Sequence, residues 1–252
     1  MIKKTKKKSS AVTALPVEKP AEAAAEVVEE MISSKDWKTL LMVLGIIILL
    51  TAVSFAGVWG YNKYKTASIL SVDELHQKNL AGELDEDEGY VYNGYSFVKY
   101  DDFWNTEIKS SSTNQTYSMM FRFGPREVEN ISIEGSLNIS LFNDATSYYG
   151  TFNPLGFGGD FSAVTLAVSD FHIGMTKVFQ KTPIAACDRN ETRACSTRPI
   201  VRCDTTQDLV FYVEENTKPR VIFDNNCIIV QGQGFDVVRA VDRTLFQLYG
   251  IQ

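Results

Sequence analysis

The chain has 252 residues, is 44% hydrophobic and 22% charged, and carries a net charge of −6. Those values exclude a wholly disordered chain, a collagen-like fibre and a strongly basic nucleic-acid binder. The averages cover three unlike segments: a Lys- and Ala-rich opening, one long apolar run, and a polar, aromatic-rich remainder.

Residues 1–36 read as a disordered cytoplasmic tail. Ala21 to Glu30 has helix-forming composition, but Pro16 and Pro20 stop a helix from growing backwards. Lys3, Lys4, Lys6, Lys7 and Lys8 are expected to hug an anionic leaflet and fix topology, and the acids after them argue against a nucleic-acid arm.

From Thr39 to Tyr61 there are 23 residues without a charge. As a helix they extend about 34 Å at 1.5 Å per residue, enough to cross a hydrocarbon core of about 30 Å. Trp37 lies at one end, and Trp59, Tyr61 and Tyr64 lie at the other, where interfacial belts sit. The expectation is a transmembrane helix over 37–62. The excess of Lys before it puts the N-terminus in the cytoplasm and the C-terminal domain outside the cell membrane. The rival is a signal peptide cleaved after Ala56, against which stand the length of the apolar run and of the basic region.

Residues 63–88 read as a stalk with a short helix near VDELHQKNL, then an acidic linker from Glu83 to Glu88. That linker lacks the Gly turn and ligand spacing of an EF-hand loop. Residues up to Lys38 hold eight Lys and six acids. The other 17 basic and 25 acidic residues therefore give the chain beyond Lys38 a charge of about −8, unsuited to polyanions.

Residues 89–252 are expected to form one α+β domain, an antiparallel meander followed by a helix-covered sheet. Asn93-Gly94 between aromatic runs signals a hairpin. Residues 115–123 and 131–141 alternate apolar and polar side chains, which extends the meander through both. A helix is expected from Asp160, as N-cap, to Phe179, with Phe161, Val164, Val168, Phe171, Met175 and Val178 on one face. Short strands are expected at 199–202, 208–213, 220–224 and 227–230; the second and last read as central because they are apolar on both faces. The last helix runs from Phe235 to Tyr249, with Val238, Val241, Leu245 and Leu248 buried and Asp236, Arg239, Arg243 and Gln247 in water.

The segments Asn226-Cys227-Ile228-Ile229-Val230-Gln231-Gly232 and Val237-Val238-Arg239-Ala240-Val241-Asp242-Arg243, with Tyr249-Gly250-Ile251 and the opening Tyr90 to Phe97, resemble uncharacterised single-pass membrane proteins of archaea. The resemblance implies an address and a fold; no activity, cofactor or catalytic residue comes with it.

Candidate chemistry is sparse. His76, in the stalk, reads as exposed, and His172 as a histidine at the edge of the core. Gly156-Phe157-Gly158-Gly159 opens a helix and has the composition of a phosphate cradle, but lacks a Gly-Lys-Ser/Thr ending and reads as an ordinary turn. Asp101-Asp102 near Trp104 is the best carboxylate pair for a glycosidase, against a plain hairpin turn. Asp242, at the edge of the last helix's apolar stripe, reads as paired with Arg239 or another arginine.

Four sequons place candidate glycosylation at Asn114, Asn130, Asn138 and Asn190. The four cysteines, Cys187, Cys195, Cys203 and Cys227, lie beyond the span without a C-x-x-C or a nearby His. Two disulfides are therefore expected, Cys187–Cys195 and Cys203–Cys227. No catalytic residue, metal or cofactor is assigned. The first functional expectation is a non-enzymatic structural or interaction subunit of a cell-envelope assembly, with the lipid bilayer and a membrane or envelope protein as partners. The alternatives are an extracytoplasmic hydrolase, glycans being one substrate class, and a ligand-binding sensor.

Overall fold

The computed structural model describes residues 34–67 and 70–252; the tail reading for residues 1–33 lies outside them. The chain divides into two compact units, Met1–Ile69 and Leu70–Gln252.

In the first unit, α1 (Ser34–Ala67) is one long helix. Its stretch from Trp37 to Tyr61 has a mean hydropathy of 2.6 and is long and apolar enough to cross a membrane. Leu41, Ile47, Leu49, Val53 and Phe55 are all exposed. Thr51 and Ser54 donate their hydroxyls back to the carbonyls of Ile48 and Leu50, at 2.8 Å each. Both side chains are thus satisfied within the helix, as an apolar environment requires.

The second unit is α+β. It opens with α2 (Val72–Ala81), started by a Ser71–Glu74 capping box and stopped by Gly82 at φ 72°. This helix does not hang free as a stalk. Asn79 donates to the carbonyls of Tyr90 and Phe97, and His76 shares a 2.9 Å hydrogen bond with Ser96. His76 is therefore buried, which corrects the exposed reading: the helix packs on the first two strands and turns His76 and Asn79 towards them.

Strands β1 (Gly89–Tyr92), β2 (Tyr95–Tyr100), β3 (Phe103–Lys109) and β4 (Thr116–Phe121) form a four-stranded antiparallel sheet in that order. Two two-residue turns build it, Asn93-Gly94 and Asp101-Asp102, all four residues at positive φ. Such primed turns match the strand twist.

After the short α3 (Pro125–Val128), β5 (Ser132–Leu137) leaves this sheet. It enters a six-stranded sheet beside β9, in parallel. The expected strand over 131–141 also ends early: Asn138 Oδ1 accepts the Leu141 N–H and starts α4 (Ile139–Asp144). Alternation reports a half-buried strand but not its partner, and the cap overrides it from residue 138 onwards.

The second sheet runs β5-β9-β10-β8-β6-β7, with β6 (Ser147–Phe152), β7 (Thr182–Ala185), β8 (Val210–Glu215), β9 (Arg220–Asn225) and β10 (Cys227–Gly232). Only the β9–β10 hairpin is antiparallel. β8 and β10 are central. Residues 199–202 do not form a strand; a single bridge joins Ile200 to Cys187.

One face of the sheet is covered by α5 (Ser162–Phe179) and α6 (Phe235–Leu248), which pack on each other. Phe161 occupies the cap position of α5, so the helix begins one residue later than expected, while Asp160 accepts the Ser162 N–H at 3.0 Å. Phe171 of α5 stacks on Phe211 of β8 at 3.7 Å. α6 is buried on more than one stripe: Val237, Ala240, Asp242, Thr244 and Phe246 join the expected residues. The reason is a second neighbour. Phe246 meets Phe97 and Phe121 of the four-stranded sheet at 5.7 and 4.5 Å, so α6 ties the two sheets together. Each such buried aromatic contributes roughly 1.5–3 kcal/mol, plus about 1 kcal/mol for a good ring pair. The opposite face of the large sheet carries a smaller core of Ala186, Val201, Val210 and Cys227.

Candidate functional site

The structure bonds Cys187 to Cys195, which flank a polar loop, and Cys203 to Cys227, the combination expected. Between them they hold the long segment linking β7 to β8 and fasten it to Cys227 at the start of β10.

The other candidate residues are scattered. Asp101 and Asp102 form the exposed two-residue turn, and Trp104 is buried with its indole N–H donated to Glu127, so no sugar cleft forms there. In the glycine loop, the Phe157 N–H donates to Glu215 Oε2 at 2.7 Å. A carboxylate already holds the amide that a phosphate would need, and repels one. Asn114 and Asn190 are exposed. Asn130 accepts from Arg239, while Asn138 is occupied as a helix cap.

Asp242 does not pair with an arginine. Its Oδ2 accepts the backbone N–H groups of Arg122 and Phe123 at 3.1 and 2.9 Å, and its Oδ1 has no partner. Arg239 pairs with Asp236 at 3.1 Å instead. Burial pushes the Asp242 carboxyl well above the ordinary range, only partly opposed by the two amides. Nearby, Asp170 pairs with Arg122 at 2.9 Å and is also raised, chiefly by burial. Asp242 is buried while Arg122 and Asp170 remain partly exposed, and the cluster joins α5 and α6 to the end of β4 and reads as structural.

An open groove of about 800 Å³ runs along α5. Its apolar lining is Phe152, Phe161, Val164, Val168 and Ile173. Thr165, Ser169, His172 and Thr176 add a polar group at almost every turn, because spacings of four, three and four residues keep one helix face. Lys177 at the end of α5 and Arg198 from the disulfide-held segment supply positive charge. Among the described residues, no Asp or Glu lines it.

His172 is the most constrained of these residues. Its Nδ1 lies 2.5 Å from the Tyr148 hydroxyl, beneath Gly150, where a Cβ would come within 2.9 Å of the ring. Burial lowers the His172 pKa, with no neighbouring charge to oppose it, and raises that of the Tyr148 phenol. Both are therefore neutral at pH 7. A phenol O–H donating to Nδ1 leaves the proton on Nε2 as a donor, whereas Nδ1–H donating to the phenol oxygen leaves Nε2 as an acceptor. Ser169 sits one turn away, but a nucleophile needs a base oriented by an acceptor, and Tyr148 is not a carboxylate. The arrangement can hold a ligand; it lacks the set needed to activate a serine.

Sequence alone places His172 at the core edge but does not reveal Tyr148, Lys177 and Arg198 as its neighbours. The polar face of α5 is legible from its spacing; what stands opposite is not. No family model matches the chain, and neither a curated protein nor a solved structure matches it.

Proposed function

We propose that this chain is a single-pass membrane protein with a cytoplasmic N-terminus, whose outer domain is a non-enzymatic interaction subunit of a cell-envelope or membrane assembly. The exposed apolar side chains of α1 and the concentration of Lys before it support the anchor and its orientation. Two disulfides support an oxidising compartment for the domain beyond the span. The α5 groove is the observation that carries the functional part: it is open, largely apolar and lined by no carboxylate, and its one histidine is tied to a phenol. The net charge of about −8 beyond Lys38 disfavours nucleic acid.

The topology is tested by impermeant thiol labelling of intact cells. A Cys replacing exposed Thr113 is labelled and one replacing Ala23 is not; the reverse pattern overturns the orientation. The non-enzymatic reading is tested on the purified full-length protein with a glycan and ester panel. No turnover is expected. Turnover abolished by Ser169→Ala or His172→Ala would establish the hydrolase instead.

A further inference from the structure

We propose that the α5 groove takes an extended peptide segment of a partner protein, one that alternates apolar and acidic side chains. The inference deepens the interaction reading and rests on it.

Charge is the first argument. Every ionisable side chain lining the groove, Lys177, Arg198 and His172, is cationic or neutral. Neither Lys177 nor Arg198 has an ion-pair partner among the described residues. Two uncommitted cations beside an apolar floor, on a domain that is otherwise acidic, are complementary to a ligand carrying carboxylates.

Polarity along the groove is the second. Thr165, Ser169, His172 and Thr176 lie about 6, 4.5 and 6 Å apart along the helix axis at 1.5 Å per residue. An extended peptide repeats its outward N–H and C=O groups about every 6.6–6.8 Å, longer than the roughly 5.5 Å mean here, so the match is one of polarity along the groove and not of register. A polar group at each turn serves a ligand that is polar along its whole length, as a peptide backbone is. A simple acyl chain would leave the Thr165 and Ser169 hydroxyls and the His172 Nε2 facing hydrocarbon, whereas the Thr176 hydroxyl already donates to the Lys181 carbonyl. A glycan fits less well: the lining offers no amide or carboxylate to pair with sugar hydroxyls in two-pronged fashion.

The test uses the full-length protein in lipid nanodiscs and fluorescence anisotropy with labelled octapeptides. Four Val-Asp repeats are compared with four Val-Lys repeats, and unlabelled laurate serves as competitor. Saturable binding of the Val-Asp peptide is expected, at least tenfold tighter than Val-Lys, weakening as salt rises. Lys177→Glu/Arg198→Glu should weaken it at least tenfold, and Ile173→Asp, at an exposed position, should also weaken it. Lys109→Glu/Lys218→Glu makes the same charge change elsewhere and should leave it within twofold.

No saturable binding up to 1 mM, equal binding of both peptides, or indifference to Lys177→Glu/Arg198→Glu overturns the proposal. Tight binding of laurate without the peptide overturns it in favour of a small amphiphile. Co-purification of the same membrane partner by wild type and by Lys177→Glu/Arg198→Glu, with no peptide binding, sinks the groove proposal and leaves the interaction reading standing. Enzymatic turnover sinks the interaction reading itself.

Discussion

Asp242 offers a direct test of how the two sheets are joined. Its Oδ2 is the acceptor for two backbone N–H groups just past the end of β4, in a site shut off from water. Asp242→Ala leaves both amides unpaired. Each buried orphan costs roughly 1–3 kcal/mol, so the pair should cost about 3 kcal/mol. At 2–4 °C per kcal/mol for a domain of this size, the Tm should fall by about 6–12 °C. Asp242→Asn behaves differently: its Oδ1 accepts the same two amides and its NH2 replaces the protonated oxygen. Because burial raises the Asp242 pKa above its unfolded value near 3.9, the folded state holds the proton more tightly. The stability this confers is present at low pH and lost as pH rises through the folded pKa. Asp242→Asn should therefore match wild type near pH 4 and become the more stable protein as pH rises to 8. His76 and His172, whose pKa values are lowered by burial, destabilise both proteins equally on acidification and cancel in the difference. Thermal unfolding of the full-length protein in detergent, followed by near-UV circular dichroism at each pH, measures it. A difference that stays flat from pH 4 to 8, or an Asp242→Ala variant within 1 kcal/mol of wild type, would refute the assignment.

The two disulfides close separations of 24 and 8 residues, which the chain-entropy relation converts to roughly 3.5 and 2.5 kcal/mol. Cys203→Ser/Cys227→Ser should lower the Tm more than Cys187→Ser/Cys195→Ser, and non-reducing peptide mapping should show no Cys187–Cys203 or Cys195–Cys227 peptide. Gly135 has φ +76°, and a Cβ there would lie 2.1 Å from the Phe223 carbonyl oxygen, so Gly135→Ala should destabilise by about 2 kcal/mol or more in urea unfolding. In a host that glycosylates sequons, Asn114→Gln and Asn190→Gln should each remove one glycan mass, whereas Asn138→Gln should remove none and lose the α4 cap, at about 1 kcal/mol.

Features set by neighbours in sequence are legible without the structure. The Asn93-Gly94 turn, the helix ending near Phe179 and the last helix all depend on contacts within a few residues of chain. So does the bland reading of Asp101-Asp102, because a two-residue turn needs only the strands beside it. Errors arise where a distant partner decides. β5 has the alternation of a meander strand, yet its partner is β9, nearly ninety positions on. Asp242 looks like half of a salt bridge because Arg239 lies three residues away. What claims its carboxylate is a pair of amides 119 and 120 residues distant, and backbone amides leave no mark in sequence.

The groove belongs to the same class of hidden feature, and its physical origin explains both its position and its stability. α5 turns its apolar stripe onto the sheet, leaving Thr165, Ser169 and Thr176 on the exposed face; by itself that is the ordinary wet side of a surface helix. Two further circumstances turn it into a site. Gly150 has no Cβ, which lets His172 tuck over β6 and reach Tyr148, so the ring is held rather than free to rotate. The segment between β7 and β8 carries Arg198 to the groove, and that segment has few apolar side chains to anchor it. Its placement rests on the two disulfides together with buried Ala186 and Val201, the Cys187–Ile200 bridge and the Asn226 side chain's donations to the Thr206 and Asp208 carbonyls. Reduction should therefore weaken any ligand that relies on Arg198 before it unfolds the sheet, because β8 and β10 keep their whole ladder without the sulfur links while the segment bearing Arg198 is left with a single bridge and a few hydrogen bonds and buried side chains.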